Sequence, residues 1–420
     1  MRFTFLHAAD LHLGSPFKGL GSRDEDLARR FAEASRRAFV ELVERALAEK
    51  VAFAVISGDV YDGEWKDMAI GHFFNREIAR LDRAGIPVFL IKGNHDAVSE
   101  VTKSLPLPPS VATFSETRAE THRLEDLRVA LHGRSFRDRV VTENFARGYP
   151  PAVEGWFNIG LLHTSLAGNP KHETYAPCSL DDLATRGYDY WALGHVHDFE
   201  VLATNPYVVF PGNLQGRSVR ETGAKGAVFV DVEDNSVASV RRVIVDQARF
   251  SDIRVDLSNA FSEADVLNRM REHFARLADE AEGRLIAVRV RLAGTTSMHA
   301  ALIAARAQIA ENAQSALHHV YEDAWLEKCV IETREPETGR PRDPAAALID
   351  PATLLEGLEH DEDMRTAARK IVEEIAAQWP PSDEFDKEAI MTGLDSLMDE
   401  ARALVLARAT APVSRFPAED

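Results

Sequence analysis

Five short segments of this chain end apolar runs in side chains that bind metals. They are Asp10-Leu11-His12, Gly58-Asp59-Val60-Tyr61-Asp62, Gly93-Asn94-His95-Asp96, His163-Thr164 and Gly194-His195-Val196-His197. The runs before them are FTFLHAA, VAFAVIS, VFLIK, NIGLL and YWAL. Carboxylate, amide and imidazole groups rarely finish a buried strand unless they are paired or hold a metal. Five such junctions in one chain point to ligands converging along one edge of a sheet.

The spacings suit a two-ion site. Asp10 and His12 alternate along an extended strand end, so both reach beyond the edge. Gly58 permits a sharp turn before Asp59, whose carboxylate can bridge two cations through its two oxygens. Asn94 offers a neutral oxygen, and His195 and His197 sit two apart, each able to reach a different ion. With His163 the set supplies eight ligand positions when Asp59 counts twice, enough for two ions about 3.5–4 Å apart. Such a pair lowers the pKa of a shared water and neutralises phosphate oxygens. The mixed His, Asp and Asn donors favour Mn²⁺, with Fe or Zn as alternatives, over Mg or Ca alone. His95 lies beside the ions without being needed as a ligand. It is the candidate to protonate a leaving oxygen or stabilise the transition state, oriented by Asp96.

Other polar residues carry weaker signals. In FPGNLQGR, Asn213, Gln215 and Arg217 are candidate substrate contacts, against a turn fixed by Pro211, Gly212 and Gly216. Asp62 reads as a hydrogen-bonding loop residue rather than a ligand. His172 and Tyr175 are loop residues able to contact substrate. His7 and His132 read as core histidines, Cys178 as a packed thiol, and His318 and His319 have no role assigned.

The elements that position these residues follow from periodicity. Helical spacing over 24–49 and near 67–83 alternates with strands at 51–57 and 86–92, a β-α-β-α-β order that demands parallel strands and right-handed crossovers. From about 127 to 250 strands become frequent: RVALHG, FNIGLLH, YDYWALGH, YVVFPG, GAVFVDVE and SVRRVIV. The expected architecture is α/β, a four-layer αββα sandwich over residues 1–250. A small α+β unit is expected over 251–334, with strands at 253–257, 284–292 and 325–333 and helices at 261–281 and 297–313. EPETGRPRDP (335–344) reads as a linker. Residues 345–420 form a helical segment with helices near 361–378 and 384–408. The second of these carries an apolar stripe at Ile390, Leu394, Leu397, Met398, Ala401, Leu404 and Val405, which either covers the protein's own core or docks on a partner helix.

At 420 residues the chain suits two or three domains, and 45% hydrophobic with 28% charged residues is ordinary for a globular protein. Two cysteines cannot build a disulfide framework. No run of apolar residues is long enough for a membrane span, and the run after Met1 is too short for a signal peptide. A cytoplasmic location is the expectation. The net charge of −18 is uneven: residues 1–250 hold 30 Lys+Arg against 34 Asp+Glu, and the remainder 19 against 33. The acidic excess therefore lies mostly away from the five motifs and does not exclude DNA as a partner.

The ordered pattern DxH, GDxxD, GNHD, H and GHxH over residues 10–197 resembles the calcineurin-like metallophosphoesterases. ADLHLGSPFKGL, GDVYDGEWKD, LLHTSL, YAPC, YWALGHVH and FPGNLQGR resemble the YhaO-type branch, related to SbcD nucleases of double-strand-break processing. The resemblance implies that Asp10, His12, Asp59 and His197 hold one metal and Asp59, Asn94, His163 and His195 the other, with His95 catalytic. It further implies a capping domain at 251–334, C-terminal helices that bind a long SMC-like coiled-coil ATPase, and a homodimer. The activity implied is a 3′-to-5′ DNA exonuclease in repair. One departure matters: Asp62 stands where the break-repair relatives commonly have a histidine. The alternatives are an esterase for a small phosphodiester or phosphomonoester, and a DNA-end-binding scaffold.

Overall fold

The computed structural model describes residues 1–15, 25–62, 68–99, 107–166, 175–336 and 361–378, with 394, 397, 398, 401, 402 and 405 beyond them. It divides into two compact units, Met1–Ser251 with Ala281–Val288, and Asp252–Glu280 with Arg289–Asp420.

In the first unit, β1 (Arg2–Ala8) sends Phe3 and Phe5 to one face of a sheet and Leu6 and Ala8 to the other. Both faces are covered, which is why the strand reads as an unbroken apolar run. There follow α1 (Glu25–Glu49), β2 (Phe53–Ser57), α2 (Met68–Arg83), β3 (Val88–Ile91), the short α3 (Asn94–Val98) and β4 (Val111–Thr113). β1 to β4 pair in parallel, as helical crossovers require. α1 lays Ala38, Leu42 and Ala46, and α2 lays Ile70, Phe74, Ile78 and Leu81, in the core on the outer face of this sheet.

The chain then builds β5 (Glu120–Leu124), β6 (Val129–Gly133), β7 (Phe157–His163), α4 (Leu180–Ala184), β8 (Tyr190–Gly194), β9 (Glu200–Thr204) and β10 (Tyr207–Phe210), and returns through β11 (Gly226–Glu233) and β12 (Ser236–Ile244). The first sheet runs β12-β11-β1-β2-β3-β4 and the second β5-β6-β7-β8-β10-β9. Their facing sides share one apolar core. There Phe5 stacks on Phe53 at 5.0 Å and meets Tyr190 edge-on at 5.3 Å. Such ring pairs add about 0.5–1.5 kcal/mol each beyond their buried area. On its other face the second sheet packs Trp191 and Leu193 against Phe145, of the turn Phe145–Gly148, and against Leu183 of α4. The result is the expected α/β sandwich of two sheets between outer layers, the layer over the second sheet being thin among the described residues.

The second unit's sheet is three-stranded, of order β13-β14-β15, with β13 (Ala248–Asp256) and β14 (Leu285–Thr295) beginning within the first unit and β15 (Ala324–Arg334) wholly in the second. Its helices are α5 (Glu263–Ala281), α6 (His299–Ala304) and α7 (Arg306–Val320). The single helix expected at 297–313 is thus two, broken at Ala305. α8 (Glu362–Gln378) lies where a helix is expected. Most of the 335–344 segment, and Ile390 and Leu404 of the apolar stripe, lie outside the described residues. No described helix is long and apolar enough to cross a membrane.

Candidate two-metal site

The five motifs leave the C-terminal ends of β1, β2, β3, β7 and β8, and main-chain hydrogen bonds lace them together. The N–H groups of Asp10 and His12 donate to the carbonyls of Gly58 and Asp59 at 3.0 and 3.1 Å, and Thr164 N–H donates to Gly194 at 3.1 Å. Asp10 joins the two sheets, since its carboxylate accepts the His195 N–H at 2.9 and 3.1 Å. Asp10, His12, Asp59 and His195 all have positive φ, at 52°, 41°, 54° and 100°. Non-glycine residues held this way cost about 1–3 kcal/mol each and persist where the surroundings over-determine them. Two glycines answer to close approach. A Cβ on Gly58, at φ +94°, would lie 2.6 Å from His163 Nδ1, and one on Gly93 would run into Asp59 Oδ1 and the His163 ring.

The donor atoms form two groups. In one, Asp10, His12 and His197 converge, with His12 Nε2 3.1 Å from His197 Nε2 and the latter 3.8 Å from Asp10 Oδ1. In the other, Asp10, Asp59 and His163 converge, and Asn94 Oδ1 lies 3.0 Å from His163 Nε2. Asp59 Oδ2 faces both, 3.4 Å from His163 Nε2 and 4.0 Å from His12 Nε2. Its other oxygen accepts the His95 N–H at 2.9 Å. One Asp59 oxygen thus faces both donor groups, while the other meets the start of α3. The ring of His195 sits 5.3 Å from that of His163 and 4.9 Å from Tyr175. His163 donates from Nδ1 to the Ser57 carbonyl at 2.9 Å, which fixes a proton there and makes Nε2 the atom that faces the cluster.

Burial dominates the electrostatics and the neighbours decide its outcome. Asp10 is pushed up to about 6 by burial, against the pull of His197 and His163. Burial brings His12 down to about 3. Burial would raise Asp59 too, yet His163 holds it well below the usual carboxylate range. His163 itself rises to about 9, the Asp59 carboxylate outweighing burial. Positive charge is thus wanted around Asp59, and two divalent cations fit a set of lone-pair nitrogens, an amide oxygen and two buried carboxylates.

A third group joins His12, Asp62 and His95. Asp62 Oδ1 lies 3.1 Å from His95 Nδ1 and 3.6 Å from His12 Nδ1, while Oδ2 accepts the Ser15 hydroxyl at 2.6 Å. The Arg217 guanidinium stands 3.8 Å from Asp62 Oδ1, and His12 already turns Nε2 to the first group. This is a proton network rather than a place for a third cation. Burial opposes charge on His95, but Asp62 and Asp59 together outweigh it and raise the ring. The orienting role expected of Asp96 is corrected here. Asp96 Oδ1 accepts the N–H groups of Val60 and Tyr61, and Oδ2 that of Gly93, so it pins two loops together and Asp62 orients His95.

The substrate candidates divide. Gln215 is buried and fully engaged with backbone: Oε1 accepts from Gln247 and Ala248, and Nε2 donates to Ala248 and Gly216. It is a structural tie, correcting the substrate-contact expectation. Asn213 is buried as well and donates to Glu221 at 2.9 Å and to the Gln215 carbonyl. Arg217 reaches the site, with its side chain 22% exposed. Sequence reasoning missed Glu221, which accepts from His197 Nδ1 at 2.8 Å, and Lys225, whose buried ammonium donates to the His197 carbonyl at 2.9 Å. His7 is held by Tyr190 and the Leu193 carbonyl, and His132 by Thr121 and Asn158. Both are core histidines, and burial pushes the Cys178 thiol up to about 11. Tyr175 is buried against the site, and His172 lies outside the described residues.

Comparison with known proteins bears on this geometry. Residues 3–199 match the calcineurin-like phosphoesterase family, and residues 250–334 match the middle domain of metallophosphoesterase YhaO. An uncharacterised metallophosphoesterase YhaO of Bacillus subtilis is 34% identical over 70% of this chain and 72% of its own length. A DNA double-strand break repair protein Mre11 of Sulfurisphaera tokodaii is 24% identical over 64% of this chain and 69% of its own. The SbcD component of the nuclease SbcCD of Escherichia coli matches at 29% over 24% of this chain and 22% of its own. With donor atoms grouped on both sides of one Asp59 oxygen, the chain belongs to the calcineurin-like metallophosphoesterases, in their YhaO branch.

Proposed function

We propose that this phosphoesterase hydrolyses phosphodiesters of DNA, as a 3′-to-5′ exonuclease in repair that works in the cytoplasm with an SMC-like coiled-coil ATPase. The observation that carries the chemistry is Asp59 Oδ2 placed between two donor groups, with His95 alongside. The Mre11 and SbcD relatives, one named for break repair and one as a nuclease, support DNA as the ester. In this reading Asp10, His12, Asp59 and His197 hold one ion and Asp59, Asn94, His163 and His195 the other, with Mn²⁺ the favoured metal. Residues 251–334 act as a capping domain, and the chain forms a homodimer.

Two divalent ions bound there supply an activated water and neutralise phosphate oxygens. The chain's own residues do the rest. Asp62 holds His95 with Nδ1 protonated, so its Nε2 is the atom that gives a proton to the leaving oxygen. Arg217, partly open to solvent, meets the phosphate. Buried main-chain ties fix the ligands before substrate arrives, so little reorganisation is needed during reaction.

A second reading keeps the chemistry and takes a small phosphodiester or phosphomonoester as substrate; Asp62, where break-repair relatives commonly have a histidine, bears instead on whether endonuclease activity accompanies the exonuclease. Mn²⁺-supported release of nucleotides from 3′- and 5′-labelled duplexes is compared with turnover of bis-(p-nitrophenyl) phosphate. Release from 3′ ends is the expected result. Strong small-ester turnover without DNA cleavage would overturn the DNA reading.

A further inference from the structure

Glu221 belongs to none of the five motifs, yet its carboxylate is the meeting point of one side of the site. It lies in the loop between β10 and β11, four residues after Arg217, and its side chain is 13% exposed. Oε1 lies 2.8 Å from His197 Nδ1 and accepts from the Arg217 guanidinium at 2.8 and 3.2 Å. Oε2 accepts the Asn213 amide and the Arg217 N–H, both at 2.9 Å. The carboxylate thus meets a candidate ligand, a candidate phosphate contact and a buried amide.

The hydrogen bond to His197 has a chemical consequence. A carboxylate at 2.8 Å accepts a proton and cannot give one, so it selects the tautomer with the proton on Nδ1. Nε2 then keeps its lone pair, and that atom is the one turned to His12 Nε2 and Asp10 Oδ1. A carboxylate behind a ligating imidazole also orients the ring. Arg217 cannot take this part. Its guanidinium lies 3.3 Å from His197 Nδ1 but is a donor only, and would favour the wrong tautomer if Glu221 were absent. A bland reading, in which Glu221 is only the counter-ion of Arg217, accounts for the ion pair but not for the contact with His197. It also leaves Asn213 without a reason to be buried against the same carboxylate.

We propose that Glu221 is a positioning residue that fixes the His197 tautomer for metal binding and holds Arg217 toward Asp62. It thereby links the affinity of one ion to the placement of the phosphate-facing arginine. The inference rests on the two-ion reading of the site and adds a residue to it. It assigns His197 and Arg217 a shared support, so changes at Glu221 disturb metal binding and substrate binding together, whereas changes at Arg217 disturb substrate binding alone.

The test is calorimetric titration of chelator-stripped full-length protein with Mn²⁺, comparing wild type with Glu221→Gln and Arg217→Met, each checked for cooperative thermal unfolding. Glu221→Gln is expected to weaken one of two ions by about 10–100-fold, the range for the outer partners of metal ligands, and to leave the other unchanged. Its KM for the ester rises as well, while Arg217→Met raises KM with both ions bound as in wild type. Wild-type affinity for both ions in folded Glu221→Gln overturns the role of Glu221 and leaves the two-ion reading standing. Failure of the wild type itself to bind two ions overturns both. Should Glu221→Gln not fold, ¹⁵N-histidine spectra of the Zn²⁺-loaded wild type decide the matter. A protonated Nδ1 with a metal-shifted Nε2 on His197 supports the proposal, and an unprotonated Nδ1 overturns it.

Discussion

On one side of Asp59 most candidate ligands are sealed: His163, Asn94 and Asp59 are 0%, 3% and 1% exposed, and His195 is half-buried. On the other side Asp10 and His12 are equally buried, but the rings of His197 and His95 stand 21% and 28% open. The sealed side is fixed by main chain and by absent side chains, through the Ser57 carbonyl on His163 and the glycines at 58 and 93. The open side is fixed by other side chains, namely Asp62 on His95 and Glu221 on His197. One half is therefore a product of how the strands end, and its failure is a folding failure. The other half is set by loop composition, where substitutions adjust chemistry while the fold stands.

The largest expected effect comes from the residue that both halves share. Asp59→Ala is expected to abolish hydrolysis down to the uncatalysed level and to lower the metal content of purified protein, since its Oδ2 faces both donor groups. Metal analysis showing both ions fully retained would break the shared-oxygen assignment. Next comes His95→Ala on the open side. Removal of a general acid costs about 10²–10⁴-fold in kcat, and both ions are expected to remain. Loss of an ion from this variant would move His95 into the ligand set and blur the contrast between halves.

A smaller effect separates orientation from chemistry. Asp62→Asn is expected to lower kcat by about 10–100-fold, as other carboxylates behind functional imidazoles do. In a His95→Ala background the same change should cost almost nothing, because residues that act as a unit are not additive. Full and independent losses in the double variant would mean that Asp62 acts on something other than His95.

The sealed half is also the half that the sequence declares. A candidate ligand at the end of a doubly buried strand must interrupt an apolar run, so Asp59 and His163 stand out without any structure, as does Asp10 of the other half. The same logic makes β1, β2, β3, β7 and β8 legible, while β5 (ETHRL) and β9 (EVLAT), at the sheet edge, carry charges and escape notice. Asp96 misled because adjacency to His95 suggests contact. It is the third residue of α3, and from there its carboxylate reaches back to the Gly93 N–H, as in a capping box. The supports of the open half left no such trace. Glu221 is 24 residues from His197 in sequence, and only the β10–β11 loop brings them together.

The smallest effect expected tests whether backbone and ring of one ligand are held separately. Lys225 is 2% exposed, and its ammonium donates to the His197 carbonyl and to Asp198 at 2.8 Å. Removing one partner of a buried ion pair usually costs several kcal/mol because the other charge is stranded. Here the Asp198 side chain is 83% exposed, so water takes over its charge and the larger penalty does not arise. What remains is the loss of hydrogen bonds to a charged donor, about 1.5–3 kcal/mol. Lys225→Met should therefore lower the free energy of denaturant unfolding by that amount, and weaken Mn²⁺ binding less than Glu221→Gln does. That order follows because Glu221 fixes the ring proton, whereas Lys225 steadies only the main chain beneath it. Equal losses of metal affinity in the two variants would show that the His197 loop moves as one piece, and that its backbone matters to the ion as much as its tautomer.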